Sequence, residues 1–148
     1  IARAYYNDAQ SDAKFADGWL RTGDVAVVDA DGMVQLVDRT KDLVKSGGEW
    51  ISSVELEGRI MGHPKILEAC VIAIPDPRWS ERPLAYAVPK PDFVGKVTSE
   101  EILDFLRPQV AKWWLPDDVV FIDAIPKTSV GKFDKKVLRA RYEIGNIV

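Results

Sequence analysis

Residues 43–55 have the sequence LVKSGGEWISSVE, and this stretch predicts a short β-hairpin that leads directly into a helix. Apolar residues flank Gly47-Gly48, a pair that supplies the left-handed backbone angles required by a tight turn between strands. Ser52 can cap the free amides at the start of a helix, and Glu55, three residues later, completes a capping box. Hairpins mixed with helices in this way favour an α+β domain.

The rest of the chain adds strands and capped helices on both sides of this unit. Thr98 and Glu101 repeat the capping-box pattern of Ser52 and Glu55. We predict, in chain order, a helix over 8–15, a hairpin over 24–38, a helix from Ser52, strands over 67–74 and 84–88, a helix from Thr98, a strand over 119–122 and a helix over 134–142. The helix after Ser52 is expected to bury Val54, Leu56, Ile60 and Met61. The predicted fold class is α+β, with a small mixed or antiparallel sheet and flanking helices.

The composition excludes several classes of protein. The 148 residues are 47% hydrophobic and 29% charged, which is typical of neither disordered nor fibrous chains. No apolar run approaches the roughly 20 residues of a membrane span. A net charge of −3 argues against a global attraction to nucleic acid or to an anionic membrane. The single cysteine, Cys70, cannot form an internal disulfide, so we expect a reducing compartment such as the cytoplasm.

Basic residues are concentrated near the carboxyl end. The segment 127–141 contains one acidic residue, Asp134, and six basic residues, namely Lys127, Lys132, Lys135, Lys136, Arg139 and Arg141. The run can form a solvated helix face, or it can face an anion. The second possibility supports an alternative function, a non-catalytic α+β module that binds an anionic partner.

Three polar clusters interrupt the apolar pattern, and the first is residues 21–24. Asp24 follows Gly23, so a tight turn can present its carboxylate. Such a carboxylate can accept two hydrogen bonds from a vicinal diol such as a ribose, or it can satisfy backbone amides of its own turn.

The second and third clusters each combine charged residues with glycine. Residues 38–49 alternate in charge sign and contain Gly47-Gly48, which allows either a ligand to approach the backbone or a hairpin with paired surface charges. Residues 126–133 have the sequence PKTSVGKF. Their spacing excludes a P-loop, because Pro126 stands where glycine is required and Phe133 follows Lys132. A loop presenting Lys132 to a phosphate and a simple exposed loop both remain open.

In this order and spacing, the clusters resemble the carboxyl-terminal part of the adenylate-forming (ANL) superfamily, which includes acyl-CoA synthetases, luciferase and peptide-synthetase adenylation domains. WLRTGD at 19–24 resembles the ribose-binding motif of that superfamily. DRTKD at 38–42 resembles its interdomain hinge, and residues 126–132 resemble its terminal lysine loop. The resemblance covers essentially the whole chain.

Within the superfamily, the chain resembles the fatty acyl-CoA synthetases that act on medium and long chains. EWISS at 49–53 and KWWLP at 112–116 carry this resemblance. Gly47-Gly48-Glu49 replaces the arginine-bearing segment usual in peptide synthetases, which disfavours that branch. At the hinge, Lys41 stands where many relatives carry Asp. A luciferase-like oxygenase that shares the adenylation step is a further alternative.

The resemblance implies an AMP-forming acid–thiol ligase that uses ATP and CoA. Its members join a carboxylate to ATP, release pyrophosphate, and transfer the acyl group to the CoA thiol. Mg²⁺ is expected mainly with the triphosphate, outside this chain. By the resemblance, Lys132 is catalytic and bridges the carboxylate and the α-phosphate, while Lys41 is the hinge. The other expected roles are the ribose for Asp24, the ribose or phosphate for Arg39, the pantetheine tunnel for Gly47 and Gly48, and the nucleotide for Lys45, Glu49 and Trp50.

The resemblance also implies a domain boundary within the chain and a larger amino-terminal domain as its partner. Residues 1–38 are expected to be the tail of a larger amino-terminal domain, and residues 39–148 a mobile lid domain. Because the chain does not begin with Met, we expect a fragment, which should be inactive without the amino-terminal domain that holds the triphosphate, adenine and acyl chain. His63, at the end of a helix, and Cys70, within a strand, are expected to be structural.

Overall fold

The computed structural model describes residues 4–9 and 11–145, and the chain divides into two units, Ile1–Lys41 and Asp42–Val148. In the described part of the first unit, the chain forms one helical turn and two hairpins. Its elements are α1 (Ser11–Lys14), β1 (Phe15–Ala16), β2 (Trp19–Leu20), β3 (Asp24–Val28) and β4 (Val34–Arg39).

The helix predicted over 8–15 is only partly correct. Residue 10 lies outside the described residues, and α1 occupies only Ser11–Lys14. Phe15 instead pairs with Leu20 across the Asp17-Gly18 turn, so the chain leaves the helix for a β-hairpin. The turn residues that were expected to end a helix therefore join two strands.

The hairpin predicted over 24–38 is confirmed. β3 and β4 pair in antiparallel fashion, and Asp24 lies opposite Arg39. The Asp29 carboxylate organises the connecting loop, because its Oδ1 accepts hydrogen bonds from the amides of Asp31 and Met33, both at 2.9 Å. The hairpin exposes five large apolar side chains, those of Val27, Val28, Met33, Val34 and Leu36.

Among its described residues, the second unit contains five strands and three α-helices. Its elements are β5 (Val44–Ser46), β6 (Glu49–Ile51), α2 (Ser53–Met61), β7 (Ile66–Asp76), β8 (Ser80–Pro89), α3 (Ser99–Leu106), β9 (Val119–Phe121) and α4 (Lys135–Glu143). The strand order is β6-β5-β8-β7, and β9 pairs with β8 in parallel, so the sheet is mixed. The predicted α+β class is confirmed.

The long antiparallel hairpin of β7 and β8 is buried on both faces. Ala69 and Val71 belong to a cluster with α2 and α3, while Cys70 and Ile72 belong to a cluster that includes Leu138 of α4. Because side chains alternate along a strand, a sheet covered on both sides needs a continuous apolar run. The pairing extends beyond the predicted limits as far as Asp76 and Ser80.

Both capped helices form as predicted, but the buried face of α2 differs from the prediction. The amide of Glu55 donates to Ser52 Oγ, and the amide of Glu101 donates to Thr98 Oγ1, each at 3.2 Å. Val54 and Met61 are 52% and 41% exposed, contrary to the predicted stripe. The buried residues are Ser53, Leu56, Glu57 and Ile60. Their spacing is that of one helix face, and it includes two polar residues that a hydrophobicity pattern does not select.

No helix within residues 4–9 and 11–145 is both long and apolar enough to cross a lipid bilayer.

Amide hydrogen exchange should distinguish the two hairpins. The β3–β4 hairpin exposes its apolar side chains, whereas residues 71–74 of β7 lie between two apolar clusters. In the 148-residue chain, we expect amides of residues 25–28 and 34–37 to exchange at least roughly tenfold faster than those of residues 71–74. Equal protection would show that the first hairpin is as firmly held as the central one.

Candidate functional site

The first and second polar clusters meet at the β3–β4 hairpin. Asp24 and Arg39 are directly opposite in the strand register, and Arg39 Nε lies 3.3 Å from Asp24 Oδ1. The side chains remain 33% and 53% exposed. An exposed pair of this kind contributes little to stability. Chemically, it offers a carboxylate that can accept from hydroxyls beside a cation that can face phosphate oxygens.

The predicted hinge residue lies at the end of the first unit. Lys41 is exposed and is the last residue before the division at Asp42. Immediately before it, the Thr40 amide donates to the Gly23 carbonyl at 2.8 Å, and the Arg39 amide donates to Asp38 Oδ1 at 2.7 Å. The β3–β4 pairing therefore continues to Thr40, one residue short of Lys41.

The Gly47-Gly48 turn closes the β5–β6 hairpin, as predicted. Both glycines adopt left-handed angles, with φ of 60° and 93°. A Cβ atom at Gly47 would lie 2.8 Å from Cε3 of Trp79, whereas one at Gly48 would meet nothing within 4 Å. Gly47 is therefore packed against the Trp79 ring. The space beside Gly48 is open, so a ligand can approach its backbone.

Residues of the β7–β8 turn support the glycine turn, and the sequence analysis missed them. The Gly47 amide donates to the Trp79 carbonyl, and the Lys45 amide donates to Glu81 Oε2, both at 2.8 Å. The exposed Lys45 and Trp50 lie side by side on this hairpin, with Lys45 Nζ 5.5 Å from the ring centroid. The bonds of Gly47 to Trp79 and of Lys45 to Glu81 join segments more than 30 residues apart, so no local pattern could indicate them.

Arg82 is a second residue that the sequence analysis missed. Its guanidinium donates to Ser46 Oγ at 2.9 Å, to the Trp113 carbonyl at 2.8 Å and to the Leu115 carbonyl at 2.7 Å. Nε also binds Asp117 Oδ1 at 2.8 Å, and the side chain is only 12% exposed. Arg82 thereby connects the loop after α3 to β5, the strand that precedes Gly47. The partners of Arg82 lie more than 30 residues away in sequence, so no local pattern indicated this role.

A pocket of about 500 Å³ lies beside Trp79 and Arg82. It is lined by Asp76, Trp79, Arg82, Lys112, Trp113 and Asp117. Trp113 is 51% exposed, whereas its neighbour Trp114 packs against the apolar core. The pocket thus combines two aromatic surfaces with two cations and two carboxylates.

The third polar cluster forms a closed loop that exposes Lys132. Lys127 and Phe133 form an isolated antiparallel bridge at its base. Inside the loop, the Thr128 amide donates to the Lys132 carbonyl at 2.8 Å, and the Gly131 amide donates to the Thr128 carbonyl at 2.9 Å. These bonds define the backbone while the Lys132 side chain remains exposed.

The basic run 127–141 is neither wholly a solvated face nor wholly an anion-facing one. Half of its six basic residues bind carboxylates of the second unit. The pairs are Lys127–Glu68 at 2.6 Å, Lys135–Glu57 at 2.7 Å and Arg139–Asp42 at 2.6 Å. Both expectations overlooked these carboxylates because Glu57, Asp42 and Glu68 lie at least 59 residues away in sequence.

His63 and Cys70 have structural surroundings. His63 is buried, its Nδ1 accepts from the Lys65 amide at 3.3 Å, and its ring packs edge-on against Phe105. Burial lowers the pKa of His63, which disfavours its charged form. Cys70 is fully buried, and burial raises the pKa of its thiol to about 12. Such a thiol is a poor nucleophile near neutral pH.

No group of three or more His, Cys, Asp or Glu side chains in the described part of the chain is arranged to hold a metal ion.

Comparison with known proteins relates this arrangement to a family. Residues 55–132 match the family described as the AMP-binding enzyme C-terminal domain. The chain is 53% identical over 146 residues to the long-chain-fatty-acid–CoA ligase of Thermus thermophilus, covering 97% of this chain and 26% of the relative. It is 51% identical over 128 residues to the 3-methylmercaptopropionyl-CoA ligase of Ruegeria lacuscaerulensis, covering 86% and 23%. The chain spans about a quarter of the length of these curated relatives.

Solved structures show the same fold. The ATP-bound MatB of Rhodopseudomonas palustris gives a TM-score of 0.86 at 30% identity, over 97% of this chain and 29% of that one. The o-succinylbenzoate CoA synthetase (MenE) of Bacillus subtilis, in complex with the acyl-adenylate intermediate OSB-AMP, gives 0.82 at 32% identity, over 93% and 28%. The fold, the three polar clusters and the family match agree, and the chain belongs to the AMP-binding enzyme C-terminal domain family of the adenylate-forming superfamily, as its motifs predicted.

Proposed function

We propose that this chain is the carboxyl-terminal part of an AMP-forming fatty acid–CoA ligase. The observation that carries the proposal is the 53% identity to a long-chain-fatty-acid–CoA ligase over a segment that contains all three polar clusters. The complete enzyme would join a fatty acid to ATP and then transfer the acyl group to CoA. The pyrophosphate released comes from ATP, and AMP leaves in the second step.

In the first half-reaction, Lys132 would bridge the attacking carboxylate and the α-phosphate. Negative charge accumulates there as the adenylyl group passes from pyrophosphate to the carboxylate, and a positioned ammonium stabilises it. The closed backbone of the loop supports this role, because it holds Lys132 at an exposed position. Asp24 would accept hydrogen bonds from the ribose hydroxyls, and Arg39 would face the ribose or a phosphate. Mg²⁺ would accompany the triphosphate on the amino-terminal domain.

In the second half-reaction, rotation about Lys41 would withdraw the Lys132 loop and bring Gly47-Gly48 to the pantetheine of CoA. A hinge requires a few residues at an element end whose backbone angles can change. The exposure of Lys41 and its place between the two units support this role. The open space at Gly48 supports close approach of the pantetheine chain. The CoA sulfur then bonds to the acyl carbon as the bond to the AMP phosphate oxygen breaks.

The pocket beside the glycine turn suits the nucleotide end of CoA. A purine can stack on the exposed ring of Trp113, and the ammonium of Lys112 can bind a phosphate. Its position supports the proposal, because Trp79 lines the pocket and also packs under Gly47. Pantetheine and nucleotide would then bind to one continuous surface.

The anion-binding module is less well supported. That function depends on the basic run 127–141, in which three of the six basic residues already pair with carboxylates of the same unit. It also assigns no role to the Asp24–Arg39 pair. A luciferase-like oxygenase shares the adenylation step, so product analysis must separate it from a ligase. A ligase yields the acyl-CoA thioester with no uptake of oxygen.

Loss of the Lys132 ammonium should abolish the first step selectively. In the complete enzyme, Lys132→Ala should slow adenylate formation roughly a hundred- to thousandfold, by analogy with the loss of an oxyanion donor. Thioester formation from supplied acyl-adenylate should remain largely unchanged. Lys136→Ala, which removes another exposed lysine nearby, is the matched control and should leave both rates unchanged. An equal loss in both half-reactions would contradict the assigned role.

A fixed backbone at Lys41 should have the opposite effect. Proline restricts φ to about −65°, so Lys41→Pro should retain adenylation and lose thioester formation. Lys41→Ala keeps the backbone freedom of a hinge and serves as the control, with both steps retained. The two half-reactions are assayed separately in the complete enzyme. Full activity of the proline variant in both steps would exclude Lys41 as the hinge.

Substitutions in the pocket should affect CoA alone. We expect Lys112→Ala and Trp113→Ala each to raise the KM for CoA roughly tenfold, as expected for the loss of about 1 to 2 kcal/mol of stacking or charge contact. The rate of adenylation and the KM for ATP should not change. Lys96→Ala, an exposed lysine outside this pocket, controls for loss of charge. An unchanged KM for CoA in both pocket variants would remove the pocket from the CoA site.

A further inference from the structure

Helix α4 packs on the rest of the second unit through one fully buried apolar residue and two cations. Lys135, Leu138 and Arg139 are three and four residues apart, so they share one face of the helix. Leu138 is fully buried in an apolar cluster with β7 and β8. The other two residues on this face are cations, and each binds a carboxylate that is largely buried. The attachment of α4 therefore depends on charge as well as on apolar contact.

Lys135 connects α4 to α2. Its Nζ lies 2.7 Å from Glu57 Oε1 and donates to Ser53 Oγ at 2.6 Å. The Glu57 side chain is 9% exposed, and the same Oε1 accepts from the Val71 amide at 2.8 Å. One carboxylate oxygen thus holds the first turn of α4 to both the helix and the central strand.

Arg139 connects the second turn of α4 to the residue that follows the proposed hinge. Its Nη2 lies 2.6 Å from Asp42 Oδ1, and the Asp42 side chain is 10% exposed. The two residues are 97 positions apart in sequence. Asp42 is the first residue of the second unit, immediately after Lys41. The pair therefore joins the beginning of this unit to its last helix.

The same helix carries the Lys132 loop at its amino-terminal end. Asp134 caps α4 by accepting from the Lys136 amide at 3.2 Å, and its own amide donates to the Pro126 carbonyl at 2.8 Å. Lys132 lies only three residues before Lys135. A chain of defined contacts therefore leads from Asp42 through Arg139 and α4 to the loop that presents Lys132.

We propose that Arg139 is a positioning residue for Lys132 and that it acts through its ion pair with Asp42. This inference rests on the proposed function, in which rotation at Lys41 moves the lysine loop toward and away from the nucleotide. The pair makes α4 move with the backbone next to the hinge, so that rotation places Lys132 accurately. Without the Arg139 charge, the Asp42 carboxylate loses this cation in a largely buried place, and of these two ion pairs α4 keeps only the one between Lys135 and Glu57.

The test uses the complete enzyme and separate assays of the two half-reactions. The variants are Arg139→Gln, Asp42→Asn, the double variant and Arg139→Lys. Arg59→Gln is the matched control, because it breaks an exposed ion pair with Glu55 on α2 by the same chemical change. Thermal unfolding of each variant establishes that it is folded at the assay temperature.

We expect Arg139→Gln to slow adenylation roughly ten- to hundredfold, since a misplacement of about 1 Å can cost a hundredfold in rate. Thioester formation from supplied acyl-adenylate should change less than about threefold, because Lys132 is withdrawn in that step. Asp42→Asn should have the same selective effect. Because both single changes break one contact, the double variant should be no slower than the slower single variant. Arg139→Lys keeps a positive charge for Asp42 and should restore most of the rate.

Three results would overturn the inference. One is an unchanged adenylation rate in Arg139→Gln. Another is a parallel fall of both half-reactions that follows the loss of thermal stability, which indicates a purely structural role. The third is additive losses in the double variant. Asp42→Asn keeps the shape of the side chain, so it provides the test if Arg139→Gln does not fold.

The same assays separate failure of this inference from failure of the proposed function. If the unaltered enzyme forms no adenylate with carboxylic acids from acetate to palmitate, both are wrong. If Lys132→Ala loses adenylation selectively and Arg139→Gln does not, the proposed function stands and only the inference is wrong.

Discussion

The β7–β8 hairpin is the constraint on which the rest of the second unit depends. Paired residues of its two strands face the same side, so Val71 and Ala85 contribute to one apolar cluster and Cys70 and Tyr86 to the other. Two apolar faces on one sheet require cover on both sides. Helices α2 and α3 contribute to the first cluster and α4 to the second, while β5 and β9 pair with β8. Removing water from these faces is the main driving force for the arrangement.

The ends of this hairpin then position groups of the candidate site. Trp79 and Glu81, at the turn, support the backbone of the Gly47-Gly48 hairpin, and Arg82 fixes the loop that carries Trp113. If the Gly47-Gly48 backbone is to lie close to a ligand, its turn must be held rigidly. A displaced turn would block the ligand as effectively as an added side chain. The β7–β8 hairpin therefore both forms the apolar interior and positions the proposed CoA surface.

Buried ion pairs give α4 a specificity that apolar contact alone would not supply. A helix attached by one buried leucine could slide or rotate at small cost, whereas a buried carboxylate without its cation is strongly unfavourable. Glu57 and Asp42 therefore select one position for Lys135 and Arg139. The Lys132 loop is continuous with this helix, so its orientation is tied to the interior of the unit. The hairpin of Asp24 and Arg39, by contrast, is held by strand register and keeps both charges exposed.

The sequence by itself determined the features that depend on neighbouring residues. These are the two glycine-containing hairpins, the caps at Ser52 and Thr98, the α+β class and the family. Turn angles and capping bonds are formed within a few residues, so a local pattern is sufficient to predict them. Only the tertiary structure decided that Phe15 would leave its predicted helix, that Val54 and Met61 would be exposed, and that half of the basic run would bind internal carboxylates. Each of these outcomes depends on strand pairing or on partners distant in sequence, and burial of a charge is favourable only where such a partner is in place.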